Sequence, residues 1–134
     1  MKKLFLYIFL GFFFLSNSFA YYEEKIINRP YCGYFAYPDG ISFKVISKFY
    51  ITREDNSIFG IYTTDELGDV YEGVFFKGKL KRKTLTIITT DEHMQGELII
   101  KFSDNFNEFH GWWVGDNGSS QGSWEGKAGD FCVE

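Results

Sequence analysis

Proline, methionine, histidine and cysteine each occur only twice in the 134 residues. So few histidines and cysteines leave little from which to build a metal cluster, and two prolines cannot form a proline-rich recognition stretch. Catalytic signatures are missing as well. The chain has no Gly-x-Ser-x-Gly elbow, no His-Glu-x-x-His, no calcium loop, and no glycine loop followed by Gly-Lys-Ser/Thr. Basic residues are in deficit, with a formal net charge of −4. This argues against general nucleic-acid binding, which relies on lysine and arginine to displace counterions from phosphate, and against docking to anionic lipid. Helical periodicity is hard to find beyond the first twenty residues. With 45% hydrophobic and 24% charged residues, the chain is neither a disordered tail nor a multi-span membrane protein.

The one long apolar run, Leu4 to Leu15, follows Lys2 and Lys3 and precedes Ser16-Asn17-Ser18-Phe19-Ala20. A positive start, an apolar middle and small residues at Ser18 and Ala20 form the pattern of a secretory signal peptide cleaved after Ala20. The run is shorter than the roughly 20 residues a spanning helix needs, which disfavours an uncleaved anchor. Tyr21 rather than cysteine follows the cut, so a lipid-anchored form is not expected. Residues 1–20 are therefore read as the leader, 21–30 as an N-terminal arm and 31–134 as one folded domain. Losing Lys2 and Lys3 makes the exported chain more acidic still. The expected location is periplasmic or extracellular, with no membrane span once the leader is gone.

In an exported chain the pair Cys32 and Cys132 suggests a disulfide. Closing a loop of about 100 residues removes denatured-state entropy worth roughly 4.7 kcal/mol in the chain-entropy picture. It also requires the first and last ordered segments to lie within about 7 Å at their Cα atoms, which suits a sheet closed on itself.

Aromatic residues reach 21%, and outside the leader they fall into period-two alternation. Ile41, Phe43, Val45, Phe49 and Ile51 share one face of the first clear strand. Further strands are expected over Tyr31–Tyr37, Ser57–Thr64, Val70–Lys77 (broken at Gly78), Lys83–Thr90, Glu97–Ser103, Glu108–Val114 and Gly122–Gly126. Turn signals separate them at Asp55-Asn56, Leu67-Gly68-Asp69, Asp104-Asn105 and Asp116-Asn117-Gly118. Short sequential connections favour an up-and-down meander. The fold expected is all-β, a single antiparallel up-and-down barrel of about eight strands, with a two-sheet sandwich as the alternative. Gly33, Gly60, Gly73, Gly111 and Gly122 each precede by two an aromatic or tyrosine on the same face, which is expected to cover the glycine where the sheet bends.

The stretch CGYFAYPDGISFKV, continuing to SIFGIYTT, resembles the opening strands of the avidin and lipocalin barrels, and IIKFSDNFNEFHGWW is similar to the late hairpin of avidins. The resemblance implies a small calycin-type barrel. It carries over no ligand: the biotin-contacting set is not matched, and the lipocalin Gly-x-Trp is here Gly33-x-Phe35. The ending FHGWWVGDNGSSQGSWEG is similar to small exported bacterial proteins of no assigned function.

Candidate functional residues follow from this frame. Phe43, Tyr62, Phe75 and Trp113 are expected to line the barrel mouth and take a small apolar or amphiphilic ligand. Adjacent tryptophans on a strand face opposite ways, so Trp112 is expected outside, where it can make a surface contact. Lys79, Lys81 and Arg82, within the basic run Lys77–Lys83, can steer an anionic partner or simply guard a hairpin edge. His93 reads as part of a polar turn, and His110 as a polar strand residue that could serve as a base or ligand. Paired acids such as Asp65-Glu66 read as ordinary solvating groups near turns. Asn117-Gly118-Ser119 is a formal glycosylation sequon. No cofactor is expected. The readings in order are a non-catalytic binding barrel, an envelope protein-interaction module such as a protease or lysozyme inhibitor acting through its loops or the arm 21–30, and a small hydrolase lacking a recognisable motif.

Overall fold

The computed structural model describes residues 26–27, 29–52, 54–92, 95–115 and 121–129. Eight strands follow one another: β1 (Tyr31–Ala36), β2 (Ser42–Ile51), β3 (Ile58–Glu66), β4 (Asp69–Lys81), β5 (Thr84–Thr90), β6 (Gln95–Phe102), β7 (Glu108–Gly115) and β8 (Gln121–Ala128). Each pairs antiparallel with the next, and β8 returns to β1 through Tyr31↔Ala128, Cys32↔Lys127 and Phe35↔Trp124. The sheet is a closed barrel and not a two-sheet sandwich. Closure leaves no unpaired edge, which short hydrophobic strands otherwise expose.

The alternation read from the sequence becomes an inside and an outside. Inward positions on β2 are Phe43, Val45, Ser47 and Phe49, and on β6 they are Gly96, Leu98, Ile100 and Phe102. Two local expectations change. Ile41 is 54% exposed and lies outside β2. Its backbone closes the β1–β2 turn instead, accepting from Tyr37 N at 2.9 Å and donating to the Asp39 carboxylate at 3.0 Å. Gly78 does not end β4. The register shifts between Phe76 and Lys79, and Lys77 adopts φ 54°. That is the geometry of a bulge, so the strand absorbs one extra residue and runs on to Lys81. At the β3–β4 turn Leu67 and Gly68 both have positive φ (57° and 89°), the conformation that lets a two-residue hairpin follow the sheet's twist.

The glycine–aromatic cadence works across strands. A Cβ on Gly73 would sit 2.1 Å from the Tyr62 ring, its register partner on β3. A Cβ on Gly122 would sit 1.7 Å from the Ala36 carbonyl oxygen. The glycines thus admit a ring or a backbone from the neighbouring strand, rather than being covered by the aromatic two positions on.

At the lower end, where β1 begins and β2 finishes, Tyr31, Phe49, Phe102 and Phe109 pack with ring centroids 5.3 to 6.4 Å apart. Phe106 lies 5.5 Å from Phe102, and its carbonyl accepts from Tyr31 Oη at 2.8 Å. Ile26 is fully buried in this cluster, and Ile27 bridges to Phe49. Arg29 donates to Asn107 Oδ1 at 2.7 Å. The described end of the arm therefore belongs to the barrel's floor. Each fully buried ring or aliphatic side chain contributes about 1.5–3 kcal/mol of burial, so Ile26 is a structural part of the barrel.

Candidate functional site

All four residues expected to line the mouth face inward in the upper half of the barrel, the end carrying the β1–β2 and β3–β4 turns. They do so to different depths. Phe75 is 1% exposed, stacked 5.2 Å from Phe49 and tilted 5.0 Å from Tyr62. Trp113 is 1% exposed and meets Tyr37 edge-on at 5.5 Å. Tyr62 meets Trp124 edge-on at 4.9 Å. Phe43 alone of the four is half-exposed, 5.7 Å from Phe35 and 5.9 Å from Tyr37. The middle of the lumen is thus occupied by these rings, and the accessible surface of the site is the mouth above them.

That mouth holds residues the sequence reading passed over. Strand parity brings Glu66 onto the inward face behind Tyr62 and Thr64, Asp91 behind Ile87 and Thr89, and Tyr71 ahead of Gly73 and Phe75. Tyr37, Phe43, Glu66, Tyr71 and Asp91 are all half-exposed. Tyr37 Oη donates to Glu66 Oε1 at 3.3 Å, and Tyr62 Oη donates to Asp91 Oδ2 at 2.6 Å. Counting by twos along β3 and β5 would have found both acids. Their place beside turns made them look like solvating groups.

The acids leave their mark on the tyrosines. Burial, with help from the Glu66 charge and hydrogen bond, pushes Tyr37 up to about 12. Burial and the bond to Asp91 hold Tyr62 well above its ordinary value. Tyr71 is also raised, by desolvation and by Asp69, Glu66 and Glu92. Below the acids, Ser47 and Thr64 are buried and satisfied: Trp124 Nε1 donates to Ser47 Oγ at 3.1 Å, and Thr64 Oγ1 donates to the Lys44 carbonyl at 2.8 Å. Trp113 Nε1 is buried without a hydrogen-bond partner, and Thr89 Oγ1 is buried beside the Tyr62 hydroxyl without a hydrogen bond of good geometry; an unsatisfied buried polar group costs about 1–3 kcal/mol.

The residues expected at the surface are there but spread out. Trp112 is 45% exposed on the outer face of β7. Register pairs carry its row through Ile99 and Thr86 to Lys79, three strands away. Lys81 is exposed one step lower on β4, and Arg82 occupies the β4–β5 turn at φ 59°. Lys83, from the same basic run, pairs with Asp104 and holds that carboxyl below its usual range. His110 sits on the outer wall with Nδ1 3.4 Å from Glu125 Oε2. A separate groove of about 330 Å³ crosses the outside of β1 to β4, with Tyr34, Ile46, Thr63 and Val70 among its walls. Cys32 borders this groove. Cys132, His93 and the sequon at Asn117 lie outside the described residues.

Comparison of the chain with protein-family models, with curated proteins and with solved structures finds no match.

Proposed function

We propose that the protein is an exported, non-catalytic binding barrel that takes a small amphiphilic ligand at its upper mouth. The observation that carries this reading is the collar of half-exposed Tyr37, Phe43 and Tyr71 above a floor of packed rings. Such a mixture of aromatic surface and a few convergent polar groups is the usual make-up of a small-molecule site. The two buried polar atoms in the floor without a hydrogen bond of good geometry, on Thr89 and Trp113, add to it.

Export and the Cys32–Cys132 bridge belong to the same proposal. Cys32 is the register partner of Lys127, five positions before Cys132, so the partner is within reach of a short run of chain. An intact mass lighter by two hydrogens than the reduced chain supports the bridge, and equal masses contradict it.

The test of binding is a native mass spectrum of the protein taken from cells that export it. An adduct of small mass is expected, and it should be lost on Tyr37→Ala. A bare chain before and after the substitution would overturn the reading.

A second reading has its own observation. Tyr34 (47%) and Val70 (64%) leave apolar surface exposed in the walls of the outer groove, and exposed apolar surface rimmed by polar residues often marks a protein contact. The protein-interaction alternative, such as an envelope inhibitor, would work from there. Val70→Asp should then abolish retention of a partner that Tyr37→Ala leaves bound.

A further inference from the structure

Acids dominate the described residues at the upper end of the barrel. Around the mouth stand Asp39, Asp69 and Glu92, with Glu66 and Asp91 facing inward. Among the described residues of the upper half, the only lysine or arginine is Lys44, on the outer face of β2. The cations gather at the other end, in the run from Lys77 to Lys83. A low-dielectric opening lined by one sign of charge concentrates ligands of the opposite sign.

The inward acids are also oriented. Glu66 receives the Tyr37 hydroxyl, and Asp91 receives the Tyr62 hydroxyl. A carboxylate offers about four acceptor positions, so one phenol leaves Glu66 able to accept from an N–H donor. Beside the acids are the rings of Tyr37, Phe43 and Tyr71, whose negative faces attract a cation lying over them. The independent sign that points to a ligand is Thr89. Its hydroxyl is buried, faces inward two positions before Asp91, and lies beside the Tyr62 hydroxyl without a hydrogen bond of good geometry. A hydroxyl there can accept from an ammonium group that Asp91 and Glu66 also hold.

We infer that the mouth selects a small organic amine, a protonated ammonium head held by Glu66, Asp91 and Thr89 with its apolar body against Tyr37, Phe43 and Tyr71. This rests on the mouth as the binding site and narrows its ligand class, excluding anionic amphiphiles such as fatty acids. Glu66 and Asp91 set the charge of the ligand, and the tyrosines set its shape.

The experiment compares three probes that share one body: phenethylammonium, phenylethanol and phenylpropanoate, titrated calorimetrically into the full exported protein at low salt. The amine should bind about tenfold or more tightly than the alcohol, the scale of a charge-assisted hydrogen bond. The carboxylate should show no binding. Glu66→Gln and Asp91→Asn should each remove most of the amine's advantage over the alcohol, bringing the ratio of the two affinities close to one. In the wild type the amine's affinity should fall as salt rises, a readout that stands even if a variant folds poorly. Equal affinity for amine and alcohol would overturn the amine inference and leave the mouth as a site. Failure of all three probes to bind would overturn both. Binding of Nα-acetyl-lysine methylamide as tightly as phenethylammonium would assign the acids to a lysine of a protein partner, overturning the small-molecule source.

Discussion

The lower end of the barrel is sealed by apolar rings and a buried isoleucine from the arm, whereas the upper end carries hydroxyls, acids and two unsatisfied polar atoms. Both ends are built from the same alternating strands, and both are rich in aromatics. What differs is the polarity of the inward residues in the last two layers. Below, Phe49, Phe102 and Phe109 meet Phe106 and Ile26; above, Thr64, Thr89, Glu66 and Asp91 replace them. A closed barrel needs one filled end for stability. The other end is where buried polar groups can be tolerated if a ligand or solvent meets them.

The largest effect should come from hollowing the sealed end. Phe49→Ala removes a fully buried ring and should cost about 3–5 kcal/mol in urea unfolding, against about 1 kcal/mol for Phe43→Ala at the half-exposed mouth. Comparable losses at both positions would erase the distinction between the ends. Ile26→Ala should follow at about 2–4 kcal/mol. A near-neutral result there would return the arm to the role of a free contact segment.

Two substitutions of buried hydroxyls in the upper half should then diverge in sign. Ser47→Ala strips the acceptor from Trp124 Nε1 and should cost about 1–3 kcal/mol. Thr89→Val removes a hydroxyl that makes no hydrogen bond of good geometry and should leave stability unchanged or raise it by up to about 1 kcal/mol. Equal destabilisation by both would mean that Thr89 is satisfied.

Alkaline pH probes both ends at once. Tyr31 below and Tyr37 above are each pushed from an ordinary value near 10 to about 12, with burial the leading cause. A raised folded-state value means that the neutral phenol is favoured in the fold. The stability it contributes is complete below pH 10 and is lost as pH climbs towards 12. Tyr62→Phe should make that loss shallower, as followed by circular dichroism during alkaline titration. The smallest effect lies on the acid side. Asp55, bonded to Thr52 and Ser57 in the exposed β2–β3 turn, is lowered from 3.8 to about 2. Its small contribution is present above pH 4 and is lost as pH falls through 2, and Asp55→Asn should remove that acid-limb slope.

Much of the architecture was legible as period-two alternation punctuated by turns. Three of the described connections, at Asp55-Asn56, Leu67-Gly68 and Asp104-Asn105, are read directly from turn residues, and closure was anticipated through the two cysteines, although the observed closure is the register of β1 on β8. The bulge at Lys77 was not legible, because a lysine at positive φ carries no sequence signal and Gly78 looked like a stop. The opposite facing of Trp112 and Trp113 was legible, since adjacent strand residues must diverge. Packing depth was not. Nothing in the spacing of Phe75 or Trp113 distinguishes a ring that lines a lumen from one that fills it, because that depends on partners such as Phe49 and Tyr37 on other strands. The acids at 66 and 91 followed the parity of their strands. Turn residues beside them hid it.

The most direct measurement is the map of backbone amide shifts as phenethylammonium is added to isotopically labelled protein. Changes centred on Tyr37, Phe43, Glu66, Tyr71 and Asp91, with the lower residues Phe49, Phe102 and Phe106 unmoved, are the predicted result. Changes centred on Tyr34, Ile46 and Val70 along the outer groove would contradict the account.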